Sequence, residues 1–324
     1  MKMHKNYSDL LEMLIEKWPS DFDGHLHYTV GLSGGVDSVV LAHLMAKACQ
    51  IKPIHLSAIH VNHGISENSD RWEDFCKKLC INLKIPLTVA RLKIVKTPGE
   101  GLENTARIER YNEYSKLKNS IIVLAHHQDD LIETMLIQLA RGSDIHNIAA
   151  MNEIMTKSNQ IYWRPLLNLD KSEIMNFANT NNLQHIEDES NTNNAYLRNF
   201  LRNQIIPKLV HFDPFIKKKF LNSLVSIQKN TALTDEYLKN DLNSCLSENK
   251  TLLIEKFAKL TLLRQQALLA YFIKSENLPL PSQRQLEEFR LQILNAAPDR
   301  HPSLLLGSQK KIIRIKSQIA ITDI

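Results

Sequence analysis

No two cysteines in this chain stand as Cys-x-x-Cys. The four present, Cys49, Cys76, Cys80 and Cys245, are scattered, and only Cys76 and Cys80 are near neighbours, one helical turn apart. That distribution argues against a disulfide scaffold, an iron–sulfur cluster or a zinc site, and reads as buried or idle thiols. A membrane-spanning apolar run and a signal peptide are also missing. Lys2, Lys5, Asp9, Glu12, Glu16 and Lys17 instead make the N-terminus a charged amphipathic helix, so a cytoplasmic protein is expected. No internal repeat is evident, which argues against a solenoid. Neither the Gly-Lys-Ser/Thr of a Walker A loop nor a G-x-G-x-x-G dinucleotide motif fits the chain's glycine-rich turn.

What is present is an ordinary globular composition, 43% hydrophobic and 23% charged over 324 residues, long enough for two domains with separate cores. The net charge of +5 is unevenly spread. Residues 1–200 carry 21 Lys and Arg against 24 Asp and Glu, whereas residues 201–324 carry 19 against 11. A basic second half suits either a polyanionic partner, most simply a nucleic acid, or a solvated surface.

The organising stretch is Tyr28-Thr29-Val30-Gly31-Leu32-Ser33-Gly34-Gly35-Val36-Asp37-Ser38, continued by Val39-Val40-Leu41-Ala42. An apolar strand enters a Ser-Gly-Gly turn and a helix leaves it, the geometry that turns backbone N–H groups toward an anion. The glycines permit close phosphate approach. Ser33 and Ser38 add hydroxyls, and Asp37 sets a carboxylate where it would help hold Mg²⁺.

Further strands are expected over Ile54–Val61, Leu87–Val95 and Ser120–His126. Helices are expected from Ser66 as N-cap, over Leu102–Tyr111 after a Pro98-Gly99 turn, and over Gln128–Arg141, closed by Gly142. Alternating strands and helices predict a doubly wound parallel sheet, with ligands beyond the carboxyl ends of the strands. The segment from Met151 to Leu209 is less regular, with a helix over Lys171–Asn181. A domain boundary is expected near 210–218, giving a catalytic domain over 1–212 and a smaller, basic, mainly helical domain over 213–324. Helical periodicity recurs at Phe220, Leu224 and Ile227 and over Leu260–Phe272, and the chain closes with two short strands over 312–315 and 319–321.

Three polar clusters follow strand ends: the Ser-Gly-Gly turn, His60-Val61-Asn62-His63, and His126-His127-Gln128-Asp129-Asp130 with Glu133. Asp130 and Glu133 share a helix face, suited to a cationic substrate or Mg²⁺. As an isolated string, Asp129 and Asp130 equally fit a helix cap and Glu133 a solvated position. Arg107 and Arg110, with Glu103, fit either a surface helix or charge neutralisation on a departing pyrophosphate. His60 and His63 fit either nucleotide contact or satisfied backbone at a strand end. Arg164, Arg198 and Arg202 lie in turn-rich contexts suited to phosphate or carboxylate recognition.

The loop Ser33 to Ser38 resembles that of the ATP pyrophosphatase, or PP-loop, superfamily. Five further stretches together resemble the tRNA(Ile)-lysidine synthetase family over most of the chain. They are His60–Gly64; Glu103–Arg107 with Arg110-Tyr111; Leu124–Glu133 with Arg141-Gly142; Arg164–Leu167; and Asp188–Asn191 with Arg198–Arg202 and Pro207. The resemblance implies that ATP adenylates ring position 2 of the wobble cytidine of tRNA(Ile), and that the ε-amine of free lysine then displaces AMP. It places ATP on Ser33, Gly34, Gly35, Val36, Asp37 and Ser38, with His60 beside them, and catalysis on Asp37, Arg107, His126, Asp130 and Glu133. Lysine falls to Asp130, Glu133 and Asp188. The tRNA falls to Arg164, Arg198, Arg202, Lys217, Lys218 and Lys219, and Mg²⁺ to Asp37. Longer members carry a further C-terminal domain, and this chain is expected to end before it, as a short form or a truncated one. A homodimer is left open, and no membrane partner is expected.

Two other classes fit in part. A PP-loop tRNA thiolase would use the same adenylation but needs cysteines at defined spacings. A non-catalytic nucleotide- or RNA-binding module would not need Asp37, the acidic pair and the arginines together. Amidating relatives would add a glutaminase or ammonia channel, of which there is no trace.

Overall fold

The computed structural model describes residues 7–22, 24, 26–92, 102–149, 151–157, 159–276, 278–297 and 299–324. They form two compact units, Met1–Val225 and Ser226–Ile324.

In the first unit, α1 (Tyr7–Glu16), β1 (His27–Gly31), α2 (Val36–Ala48), β2 (His55–Asn62), α3 (Ser69–Leu83), β3 (Leu87–Arg91), α4 (Leu102–Ser115), β4 (Ile121–Val123) and α5 (Gln128–Ala140) alternate as expected. A short helix α6 (Ile145–Ile148), a hairpin β5 (Ile154–Lys157) and β6 (Gln160–Trp163), and α7 (Lys171–Thr180) follow. The sheet order is β3-β2-β1-β4-β6-β5, parallel except for β5 at the edge.

Period-two alternation sends successive side chains to opposite faces. Ala58, Ile121, Val123 and Trp163 join α2 in the larger core, whereas Ile59, Ile122 and Tyr162 pack beneath Tyr114 of α4. Trp163 is boxed edge-on by Trp18 and Phe22, at 4.8 and 5.7 Å between ring centres. Strand order reverses between β1 and β4, so the turns leaving these two strands flank the switch point where such sheets bind ligands.

Several local expectations differ from what is found. Ser66 does not cap α3. The cap is Asn68, and the Ser66 hydroxyl accepts from the Asn68 N–H in the preceding turn. β4 stops at Val123; the Leu124 N–H still donates to the Trp163 carbonyl at 2.8 Å, and the residues from there to His127 form an irregular connection into α5. The β5–β6 hairpin lies in the stretch read as irregular, its turn carrying Asn159 at φ +61°. Residues 93–95 of the expected third strand, the Pro98-Gly99 turn and the Glu103 side chain lie outside the described residues.

From Leu197 the chain winds through α8 (Leu197–Phe200), a π-helical turn (Leu201–Ile205), α9 (Ile206–Phe212) and α10 (Ile216–Cys245), within which the unit boundary falls. The second unit continues with β7 (Leu252–Leu253), α11 (Ile254–Ala258), α12 (Leu262–Ser275), α13 (Gln283–Asn295), β8 (Ser303–Leu306), β9 (Lys310–Ile315) and β10 (Gln318–Asp323). The strands form an antiparallel sheet ordered β7-β10-β9-β8, so the two terminal strands read from the sequence belong to a sheet of four. Phe257, Leu268, Phe272, Phe289, Ile293, Ile312 and Ile319 build its core. The buried Arg314 donates to the carbonyls of Ile293 and Ala296, satisfying the C-terminal end of α13. Among the described residues no helix is long and apolar enough to cross a membrane.

Candidate functional site

The Ser33–Ser38 turn is held from within. The Ser38 hydroxyl accepts from the N–H groups of Ser33 and Gly34, both at 3.2 Å, and donates to the Gly35 carbonyl at 2.9 Å. Gly35 is the N-cap of α2 and supplies no side-chain cap, so no side chain competes for the N–H groups that open the helix. Gly34 has φ +91°, and a Cβ there would lie 2.4 Å from Cδ1 of Ile186. That contact arises because Ile186 lies alongside the loop, donating its N–H to the Gly34 carbonyl at 2.9 Å. At Gly35 a Cβ would meet nothing nearer than the Ser33 hydroxyl, at 3.6 Å. The open space beside Gly35 is what an approaching phosphate requires.

His60 differs from the expected nucleotide contact. It is buried, with Nδ1 donating to the Leu32 carbonyl at 2.8 Å and lying 3.4 Å from the Cys76 sulfur. Burial lowers its pKa, keeping it neutral. It therefore braces the loop from beneath. Cys76 and Cys80 are buried on α3, and burial pushes their thiols up to about 12 and about 11, which makes both poor nucleophiles at neutral pH.

Asp37 is met by α5 and α7. Its carboxylate accepts from Lys171 Nζ at 2.6 and 2.7 Å and lies 3.7 Å from His127 Nε2. Burial would raise the Asp37 carboxyl, but His127 and Lys171 outweigh it and hold it at about 2. His127 is buried too. Burial alone would lower its pKa, yet Asp37 and Asp130 raise it overall. Asp130 Oδ2 accepts from the His127 N–H at 3.0 Å, so Asp130 both caps α5 and faces the imidazole, 3.5 Å away. Burial pushes the Asp130 carboxyl up, and the neighbouring histidines bring it below its ordinary value. The phosphate-facing loop and the acidic helix start therefore share one charge network.

Glu133 is not a solvated position, being only 1% exposed. Arg202 holds it bidentately at 2.6 and 2.8 Å, and Arg198 Nε lies 3.5 Å away. Burial still raises its carboxyl. A cavity of about 220 Å³ opens beside it, lined by Asp129, Glu133, Arg202, Ile206, Val210 and Lys217.

His126 accepts at Nδ1 from Arg164 Nε, 3.1 Å away, which leaves the ring proton on Nε2. Burial first, then Arg164 and Arg107, lower its pKa to about 3 despite Asp130, so it is a neutral donor. Arg107 is exposed on α4, over the Tyr111 ring at 5.7 Å. Arg164 corrects the expectation of an RNA contact. It is 2% exposed, and it donates to His126, the Asn152 carbonyl and the Tyr111 hydroxyl, so it positions His126.

The other expected RNA-binding cations are largely committed. Arg198 and Arg202 serve Glu133, Lys217 pairs with Asp129 at 2.8 Å, and Lys219 pairs with Asp213 at 2.6 Å. Lys218 is exposed without an ion pair among the described residues. Asp188 caps the turn Glu189–Thr192, accepting from Ser190 N–H at 2.8 Å, two residues after the segment beside the loop. Among the described residues no hydrogen bond or ion pair joins it to Asp130 or Glu133. Lys171, paired with Asp37 in this cluster, is not among the residues expected from the sequence. The sole signal was a lysine opening a predicted helix.

Comparison with known proteins decides the family. Residues 3–209 match the PP-loop domain and residues 252–318 the TilS substrate binding domain. A tRNA(Ile)-lysidine synthase of Nitrosomonas europaea is 40% identical over 84% of this chain and 60% of its own length. One of Histophilus somni is 36% identical over 93% of this chain and 71% of its own. The chain belongs to the tRNA(Ile)-lysidine synthase family. Among solved structures, a U34-tRNA thiolase of Methanococcus maripaludis shares the fold, with TM-score 0.56 at 18% identity over 68% of this chain and 78% of its own. The activity the Nitrosomonas and Histophilus relatives are named for is tRNA(Ile)-lysidine synthesis, and the PP-loop match covers residues 3–209 of this chain. This chain spans only three fifths of the Nitrosomonas relative's length.

Proposed function

We propose that this chain joins free L-lysine to ring position 2 of the wobble cytidine of tRNA(Ile), consuming ATP through an adenylated cytidine and releasing AMP and pyrophosphate. The observation that carries this reading is that His127, at the head of α5, faces both Asp37 of the phosphate-facing loop and Asp130 of the helix. It sets an ATP cradle against acidic groups suited to a substrate bearing two ammonium groups.

Phosphates would be received by the N–H groups around Gly35 and by the start of α2. Arg107 is free to meet the charge that grows on the departing pyrophosphate. Neutral His126, oriented by Arg164, donates a hydrogen bond rather than taking a proton. Adenylation turns the cytidine carbonyl oxygen into a leaving group, and Asp130 orients the amine that displaces it. Asp37, ionised and oxygen-bearing, fits a Mg²⁺ ligand alongside the phosphates. Mg²⁺ bound there would neutralise phosphate charge. The reading implies a bacterial cytoplasmic setting.

The experiment is to follow ATP cleavage with and without the tRNA. AMP and pyrophosphate should form only when the wobble-cytidine tRNA is supplied. Cleavage independent of RNA contradicts the reading. The buried, high-pKa Cys76 and Cys80 give a thiolase reading no support.

A further inference from the structure

Phe212 and Phe215 are 89% and 68% exposed. They flank the corner where α9 ends and α10 begins, and an aromatic left in water there contributes nothing to the core. The corner is tightly fixed. Asp213 Oδ1 accepts from the Phe215 N–H at 2.9 Å, the Asp213 carbonyl accepts from Ile216 N–H at 3.0 Å, and Pro214 lies between. Cations surround the pair: Lys208 and Lys218 are exposed and unpaired among the described residues, and Lys219 reaches back to Asp213. Two residues beyond Phe215, Lys217 pairs with Asp129 in the first turn of α5, which ties the corner to the charge network of the site.

We propose that Phe212 and Phe215 form a stacking platform for unpaired RNA bases, with Lys208 and Lys218 holding the adjoining phosphates. This rests on the reading of the chain as a tRNA-modifying enzyme and names where its single-stranded substrate is gripped. Two flat apolar faces among unpaired cations match the two faces of a nucleotide, a π-surface and an anion, whereas an apolar protein surface would leave the cations unanswered. Unstacking a loop base leaves its face open, and an exposed phenylalanine on a rigid corner receives it without a large ordering cost.

The test titrates the full chain with a hairpin RNA carrying 2-aminopurine in its loop, and with the same RNA annealed to its complement. Phe212→Ala and Phe215→Ala should each weaken hairpin binding by about 5- to 150-fold, abolish loop-dependent quenching and leave duplex binding unchanged. The salt dependence should stay the same, since stacking releases no counterions. Phe215→Tyr should bind like wild type and Phe215→Leu like alanine. Lys218→Ala should weaken both RNAs and flatten the salt slope. Circular dichroism checks folding, and sedimentation checks assembly. Unchanged hairpin affinity in both alanine variants overturns the proposal. So does a leucine variant that binds normally, or a loss of self-association without loss of RNA binding, which would mark a contact between copies. The readout needs no lysine, so it stands even if lysine transfer is never observed.

Discussion

Lys171, the first residue of α7, donates to both carboxylate oxygens of Asp37 across 134 residues of sequence. In the proposed reading the ammonium stands where a cation serving the phosphates would also bind, so it would compete with Mg²⁺. Lys171→Met should lower the Mg²⁺ concentration at half-maximal activity by roughly tenfold, the effect of removing one adjacent charge, while reducing turnover. An unchanged Mg²⁺ requirement would show that Asp37 is not the metal's ligand.

Asp130 and Glu133 are predicted to separate. Asp130→Asn retains an acceptor for the His127 N–H, so it should raise the KM for lysine and spare that for ATP. Glu133→Gln breaks a charge pair whose carboxylate is buried but whose Arg202 is 37% exposed. A loss of about 2 kcal/mol is expected, below the range for wholly buried pairs. That corresponds to a melting shift of roughly 4–8 °C. Equal effects of both variants on the lysine KM, with no change in melting, would contradict this division.

The two loop glycines differ in kind. Gly34→Ala forces a side chain into a left-handed conformation and onto Ile186, costing about 1–2 kcal/mol in backbone alone. Gly35→Ala finds room in the fold, so stability should stay within about 0.5 kcal/mol while ATP binding falls, because the methyl fills the approach to the cradle. Calorimetry with and without ATP distinguishes the two.

The histidines give opposite pH signatures. His127 has its pKa raised by Asp37 and Asp130, so its contribution to stability is full below the ordinary value of 6.5 and fades as pH rises through the folded value. His126, lowered to about 3, contributes above 6.5 and loses that contribution as pH falls toward 3. The melting difference between wild type and His127→Gln should therefore shrink from pH 6 to pH 9, as read by scanning fluorimetry. A difference that grows over that range contradicts the assignment.

The parallel sheet and the turns at its switch point were legible because their signals are local: Val30 through Ala42 states strand, glycine turn and helix in consecutive residues. Asp130 and Glu133 were legible by helical spacing. Partners fixed by tertiary packing were not. Nothing near Lys171 points to Asp37, and Arg164 before a proline reads as an exposed turn until β6 carries it inward against His126 and Tyr111. His60 stayed open between nucleotide contact and satisfied backbone for the same reason, since only the pairing of β1 with β2 brings its ring to the Leu32 carbonyl. The hairpin over Ile154–Trp163 was hidden because two four-residue strands are shorter than the window in which periodicity shows.

Lysine transfer is read by incubating the full chain with ATP, Mg²⁺, labelled lysine and either tRNA(Ile) with a wobble cytidine or its wobble-uridine variant. Covalent label is expected on the cytidine form alone, with one AMP released for each lysine joined. Label on both RNAs, or AMP formation without lysine transfer to the cytidine RNA, would contradict the proposed function.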